Sequence, residues 1–170
     1  MSPRLSFCAL SGLLALAGCG FSPLYGDSGA TPVSAQLEQI RVENIPDRPG
    51  QILRDTLQDD LQRQGAPVTQ LYALSVSYNV AAEGIGIQAD TSSTRVRYVA
   101  SASWTLTPIG QPGAAMATGQ AISEDAENTV DNQYFAAELE ANTINQQLAD
   151  ELAAQITDQV AVFFKNHPQS

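Results

Sequence analysis

Two stretches of strict alternation constrain this chain more than any other feature. From Leu71 to Val80, Tyr72, Leu74, Val76, Tyr78 and Val80 alternate with Ala73, Ser75, Ser77 and Asn79. From Thr94 to Thr107, Val96, Tyr98, Ala100, Ala102, Trp104 and Leu106 alternate with Arg95, Arg97, Ser101, Ser103 and Thr105. Successive side chains of a strand point to opposite faces, so each stretch predicts a strand with one apolar face. That face must be covered by another layer.

The neighbouring segments supply the cover. Glu83–Ser93 is a glycine-containing connection, Pro108–Gly113 a turn, and Ala114–Glu124 a weaker strand, which completes an antiparallel meander. Upstream, Leu37–Ile45 carries β-branched residues and predicts a strand, and Pro46–Gly50 breaks it. In Gln51–Gln64, Leu53, Leu57 and Leu61 recur at helical spacing with Ile52 beside them, and Gly65 and Pro67 give the stop. Asp131–Lys165 is a long helical segment in which Ala141, Ile144, Leu148, Leu152, Gln155/Ile156, Gln159/Val160 and Phe163 follow the helical period. Unbroken, it would run about 50 Å, so a bend or break is expected. The order is βαβββα. It predicts a two-layer α+β fold: a four-stranded mixed sheet with both helices on one face. The first two strands flank a helix and are therefore expected to be parallel. One domain is expected over 37–166, followed by a solvated tail at 167–170.

The N-terminal zone has a different logic. Met1–Arg4 carries one positive charge, and Leu5–Leu16 is an apolar run. That run is too short for a membrane helix, which needs roughly 20 apolar residues. It ends in Leu16-Ala17-Gly18-Cys19, an apolar residue, two small ones and a cysteine, which resembles the bacterial lipobox. Residues 1–18 are therefore expected to be a signal peptide, Cys19 the lipidated N-terminus, and 19–36 a flexible tether rich in Gly, Ser and Pro. Gly20 rather than Asp follows the cysteine, which by resemblance to lipoprotein sorting favours the outer membrane, on its periplasmic side. The chain has two cysteines, Cys8 and Cys19, and both are spoken for. Packing, not a disulfide, is expected to hold the fold.

A net charge of −10 argues against nucleic acid as a partner. The single histidine, His167, sits in a polar tail and reads as solvated. No nucleophile elbow and no phosphate-binding glycine loop occurs. Carboxylates crowd Glu124, Asp125 and Glu127, and line Asp55, Asp59 and Asp60, but on faces that read as exposed. The Glu124–Asp131 stretch lacks the spacing of a calcium loop. No enzyme, cofactor or metal site is expected. Arg95 and Arg97 share one face about 7 Å apart. Two roles fit them equally: clamping an anionic group, or pairing with an acidic neighbour across the strands.

Several segments together resemble one family. Cys19-Gly20-Phe21-Ser22-Pro23-Leu24-Tyr25-Gly26, Gly50-Gln51-Ile52-Leu53-Arg54, Glu83 to Asp90 (EGIGIQAD) with Thr94-Arg95, and Asp131-Asn132-Gln133-Tyr134-Phe135-Ala136 are similar, in this order, to the alphaproteobacterial lipopolysaccharide-assembly lipoproteins of the LptE family. The resemblance implies a sheet of four strands backed by two helices. It implies a non-catalytic outer-membrane lipoprotein that plugs and helps assemble a β-barrel partner of LptD type, which inserts lipopolysaccharide into the outer leaflet. It implies that basic side chains such as Arg95 and Arg97 could meet lipopolysaccharide or the partner. The alternative is an auxiliary lipoprotein of a periplasmic ABC-type lipid transport system. One expectation is independent of that choice. Cys19→Ala should abolish metabolic acyl labelling and leave a soluble or unprocessed precursor; labelling that persists would refute the anchor.

Overall fold

The alternating stretches form the middle of the sheet. The computed structural model describes residues 32–63, 69–87, 93–111, 113–128 and 134–167. Its elements are α1 (Val33–Glu38), β1 (Ile40–Val42), α2 (Arg48–Leu61), β2 (Tyr72–Ile87), β3 (Ser93–Pro108), β4 (Ala117–Asn128) and α3 (Tyr134–Asn166). The four strands lie in the order β1-β2-β3-β4. β1 runs parallel to β2, and the other pairs are antiparallel. The predicted α+β fold with a mixed sheet is what the chain adopts, with one short helix added at the front.

That addition alters the start of the domain. The expected strand at 37–45 shrinks to Ile40–Val42, because Val33–Glu38 coils into a helix that buries Gln36 and Leu37. Val33, Gln36 and Leu37 are spaced i, i+3, i+4, the pattern of a helix face. The folded unit therefore begins inside the stretch expected to be tether. Other boundaries move outward. β2 continues past Val80 to Ile87 because its pairing with β3 persists through Glu83↔Arg97 and Gly84↔Val96. Bulges follow at Gly84/Gly86 and Gly86/Ile87. β4 likewise runs to Asn128. α2 starts at Arg48, with Pro49 in the first turn, where a missing N–H costs nothing. Of the bend or break expected in the last helix, the break is absent: α3 is a single helix of 33 residues.

Packing places both long helices over one face. From the sheet, Ile40, Val42, Tyr72, Leu74, Val76, Ala100, Ala102, Trp104 and Leu106 are buried. From α2 come Leu53, Leu57 and Leu61, and from α3 Ile144, Leu148, Leu152, Ile156, Val160 and Phe164. Phe164, not Phe163, is the buried ring, and it meets Tyr72 at 5.1 Å. Ala149, Ala153 and Ala161 are fully buried and let α3 approach closely. Gly119 marks the tightest point. It pairs with Trp104 across β3 and β4, and the indole lies against it. A Cβ there would come within 2.6 Å of the ring and of Gln159 Oε1. Trp104 Nε1 donates to that same Gln159 oxygen at 2.9 Å.

Gly119→Ala must therefore push the indole off its hydrogen bond. Overpacking of this kind costs about 1–3 kcal/mol. The chain holds one tryptophan, so its fluorescence reports the site directly. The expected outcome is a red-shifted emission together with a lower denaturation midpoint. Unchanged values in both would show that the ring relaxes without cost.

Candidate functional site

The face turned away from the helices is the surface on which a partner could act. Its rows follow from the register. Ser75 lies opposite Thr105, which lies opposite Thr118. Ser77, Ser103 and Gln120 form the next row, and Asn79, Ser101 and Ile122 the third. Small hydroxyl and amide side chains fill this surface because the opposite parity of each strand carries the core. Ile122, 58% exposed, is the apolar exception within these three rows, and Ala81 and Val99 pair in the next one. Ser75 Oγ donates to Glu43 Oε2 at 2.8 Å, tying the loop after β1 to this face.

The charged group sits further along the same face. Arg97 lies opposite Glu83 on β2. Its Nη2 donates to Glu83 Oε2 at 2.7 Å, and its Nη1 is 4.0 Å from Glu124 Oε2. The hydrogen bond to Glu83, with the two carboxylate charges, pushes the Arg97 pKa up. Of the two roles open to Arg97, the structure shows cross-strand pairing. Arg95 is exposed on the same face, opposite Gly86 and Asn128, and is also engaged rather than unpartnered. Cys19 lies outside the described residues.

The carboxylates separate. Glu124 is exposed beside Arg97, whereas Glu127 turns inward and accepts from Tyr98 Oη at 2.6 Å. Asp125 caps its own neighbour, Ala126 N–H, at 2.7 Å. On α2, Asp55 meets Arg54 and Asp60 meets Arg63 at 3.3 and 3.2 Å. Among the described residues, no three His, Cys, Asp or Glu side chains converge as metal ligands. His167 is not simply solvated. Its ring stacks on Phe163 with centroids 4.6 Å apart, and its backbone N–H donates to Phe163 O at 3.0 Å, closing the end of α3. The physical reason is the free carbonyls of a helix end, which the sequence reading of a polar tail overlooked.

Some of the site was not readable in advance. Ser123 Oγ donates to Glu151 Oε2 at 2.6 Å, and Gln155 and Gln159 reach carbonyls of β4. The available signal was the spacing of Glu151, Gln155 and Gln159 at i, i+4, i+8, a polar stripe bordering the apolar one on α3.

With this geometry in hand, comparison decides the family. The family model described as "LptE: Lipopolysaccharide-assembly" matches residues 37–160. The chain belongs to the LptE family. That makes it a lipopolysaccharide-assembly lipoprotein of the envelope. No curated protein matches the chain significantly. Among solved structures, a candidate lipoprotein from Caulobacter crescentus is similar at 27% identity and a TM-score of 0.63, covering 78% of this chain and 96% of that one. The minor lipoprotein from Acinetobacter baumannii shares the fold at 15% identity and a TM-score of 0.56, covering 72% and 88%. The rare lipoprotein B from Shewanella oneidensis does so at 9% identity and 0.57, covering 76% and 97%. This LptE-family chain thus shares its fold with these lipoproteins.

Two outcomes follow from the geometry. Exposed ion pairs contribute little to stability, so Arg97→Gln should leave the thermal midpoint nearly unchanged; a large drop would mean that Arg97 holds the meander together. The second concerns the tyrosines. Burial pushes Tyr72 and Tyr78 above their usual 10.0. A raised phenol favours folding while it stays protonated, so this contribution is complete below pH 10.0 and is lost as pH rises through the folded values. Titration followed by tyrosinate absorbance should show two late-ionising rings with unfolding close behind. A single transition at the free-tyrosine value would overturn the assignment.

Proposed function

We propose that this chain is an outer-membrane lipoprotein, anchored through Cys19, that acts as plug and assembly partner of an LptD-type β-barrel and helps it insert lipopolysaccharide into the outer leaflet. The observation that carries this reading is the family match across the folded domain. The polar face of the sheet supports it. Wide barrels have polar, hydrated interiors. A plug in such a lumen needs a surface of hydroxyls and amides, and Ser75, Ser77, Asn79, Ser101, Ser103 and Thr105 present one. The contact is made by side chains that bind and position, without a catalytic step.

Arg95 and Arg97 are the proposed anion contact, either to a phosphate of lipopolysaccharide or to a carboxylate in the lumen. Arg97 would exchange its Glu83 partner for that anion. The Glu83 pair is exposed and so easily traded. The chain's charge of −10 confines any such contact to this local pair.

Detergent solubilisation of the tagged full-length lipoprotein, followed by mass spectrometry, should recover an outer-membrane barrel of LptD type at about one-to-one. Recovery of inner-membrane ATPase components instead would favour the auxiliary role in lipid transport. With the double substitution Arg95→Ala and Arg97→Ala, lipopolysaccharide binding or barrel assembly should fall while the fold persists. Hydrogen bonds to charged groups are worth about 1.5–3 kcal/mol each, so the expected loss in affinity is tenfold or more. Wild-type behaviour in both assays would remove the arginines from the site.

A further inference from the structure

The two edges of this sheet are treated differently. Along β4, the outward carbonyls of Gln120 and Ile122 accept from the side-chain amides of Gln159 and Gln155 at 2.9 and 3.0 Å. The long helix thus occupies two acceptors of that edge. On the opposite side, β1 pairs with β2 only from Tyr72 to Leu74, and Glu43 N–H adds a last bond to Leu74 O at 2.9 Å. Beyond that point β2 continues as an edge strand.

The direction of its backbone groups follows from the ladder. Leu71 O accepts from Ile109 N–H, so odd-numbered residues of β2 face β3. Leu74 O faces β1, so even-numbered residues face the edge. The N–H and C=O groups of Val76, Tyr78, Val80 and Ala82 therefore point outward, spaced about 6.6–6.8 Å apart. Among the described residues they make no backbone bond across that edge. The run from Val76 to Ala82 holds no charge and no proline. The register shifts start only at Gly84. Charge and proline, two usual protections of a free edge, are thus missing from this run.

A cleft lies beside the open edge. Pro46, Asp47, Pro49 and Gly50 face Tyr78, Asn79 and Val80 across a cavity of about 210 Å³. The Tyr78 hydroxyl is buried and has no hydrogen-bond partner.

We infer that the β2 edge from Val76 to Ala82 is a docking site for an extended polypeptide segment of a partner, which adds as a further strand and places a side chain in the cleft beside Tyr78. Main-chain bonds would give the affinity, and the cleft would select one side chain in two. The occupant is a partner's strand rather than a second copy of this chain. Two copies would each bring a charge of −10, and each would have to fit its whole domain against the Pro46–Gly50 wall. A single uncharged or basic strand meets neither obstacle. The inference goes beyond the barrel reading and does not require it.

The test uses the full-length lipoprotein in detergent with a defined probe: an acetylated decapeptide of alternating valine and lysine. The control is the same peptide N-methylated at alternate residues, which keeps its charge but loses edge-facing donors. The peptide should slow amide exchange at Val76, Tyr78, Val80 and Ala82 by about tenfold, and the methylated control should not. Val80→Pro removes an edge donor and leaves the bonds to β3 intact, so binding should weaken roughly tenfold at an unchanged unfolding midpoint. If that variant unfolds, Ala82→Pro replaces it. Absence of protection, or equal effects of both peptides, would overturn the inference. So would protection of the free protein that disappears on dilution, because that is copy-to-copy pairing.

Discussion

The antiparallel register between β2 and β3 is the constraint on which the rest of the molecule depends. It runs from Tyr72↔Pro108 to Gly84↔Val96 without a shift. A slip of one residue would turn one strand over relative to the other. With β3 held against the helices, Leu74 and Val76 would then face water, and Ser75 and Ser77 would face the helices. Because one face is closely covered, that slip is strongly disfavoured. The same register brings Glu83 opposite Arg97, lines up the hydroxyl rows and leaves even-numbered groups of β2 along its outer edge. Core, charged pair, polar face and open edge are consequences of one alignment.

α3 converts that alignment into a rigid layer. Its apolar stripe covers the sheet, while its bordering polar residues reach the strand at the rim. Gln159 is the clearest case. One side chain accepts from the Trp104 indole at 2.9 Å and donates to Gln120 O at 2.9 Å. A polar group at a core boundary must be satisfied, and here both ends of the amide are. The result fastens the helix to the rim and, with Gln155 on Ile122 O, takes up two of the acceptors that another strand on β4 would need. Asymmetry of the two edges is thus built by the helix, not by the strands themselves.

The exposed face of the sheet is polar in the main. Among the described residues, the exposed large apolar side chains are Leu71 and Ile109, joined by a backbone hydrogen bond, and Ile85, Ile122 and Val162 on other elements. The face carries hydroxyls and amides, which exchange water for a polar surface at little cost. Positive charge is held in reserve by carboxylates across the strands, as Arg97 is by Glu83. Contacts made by such a surface are small and directional rather than apolar.

Local pattern in the amino-acid order was enough to determine the sheet's two central strands, the order of elements, the α+β class and the polarity of each face. These follow from periods of two and 3.6 residues, which are set by backbone geometry within a single segment. It was also enough to bring the family into view, because the matching segments are contiguous. Lengths and ends were less legible. β2 extends to Ile87 and β4 to Asn128 because a neighbour continues to pair with them, and α3 stays unbroken because it has a sheet to lie on. Val33–Glu38 became a helix rather than tether because its buried side chains found a place against the core. Arg97 could have held an anion or a neighbour, and only the fold placed Glu83 opposite. His167 looked like part of a free tail until Phe163 and the open carbonyls of a helix end were beside it. The open edge of β2 was invisible for the same reason. Whether a backbone N–H is satisfied depends on which segment lies next to it, and that is decided by distant residues brought together in the tertiary structure.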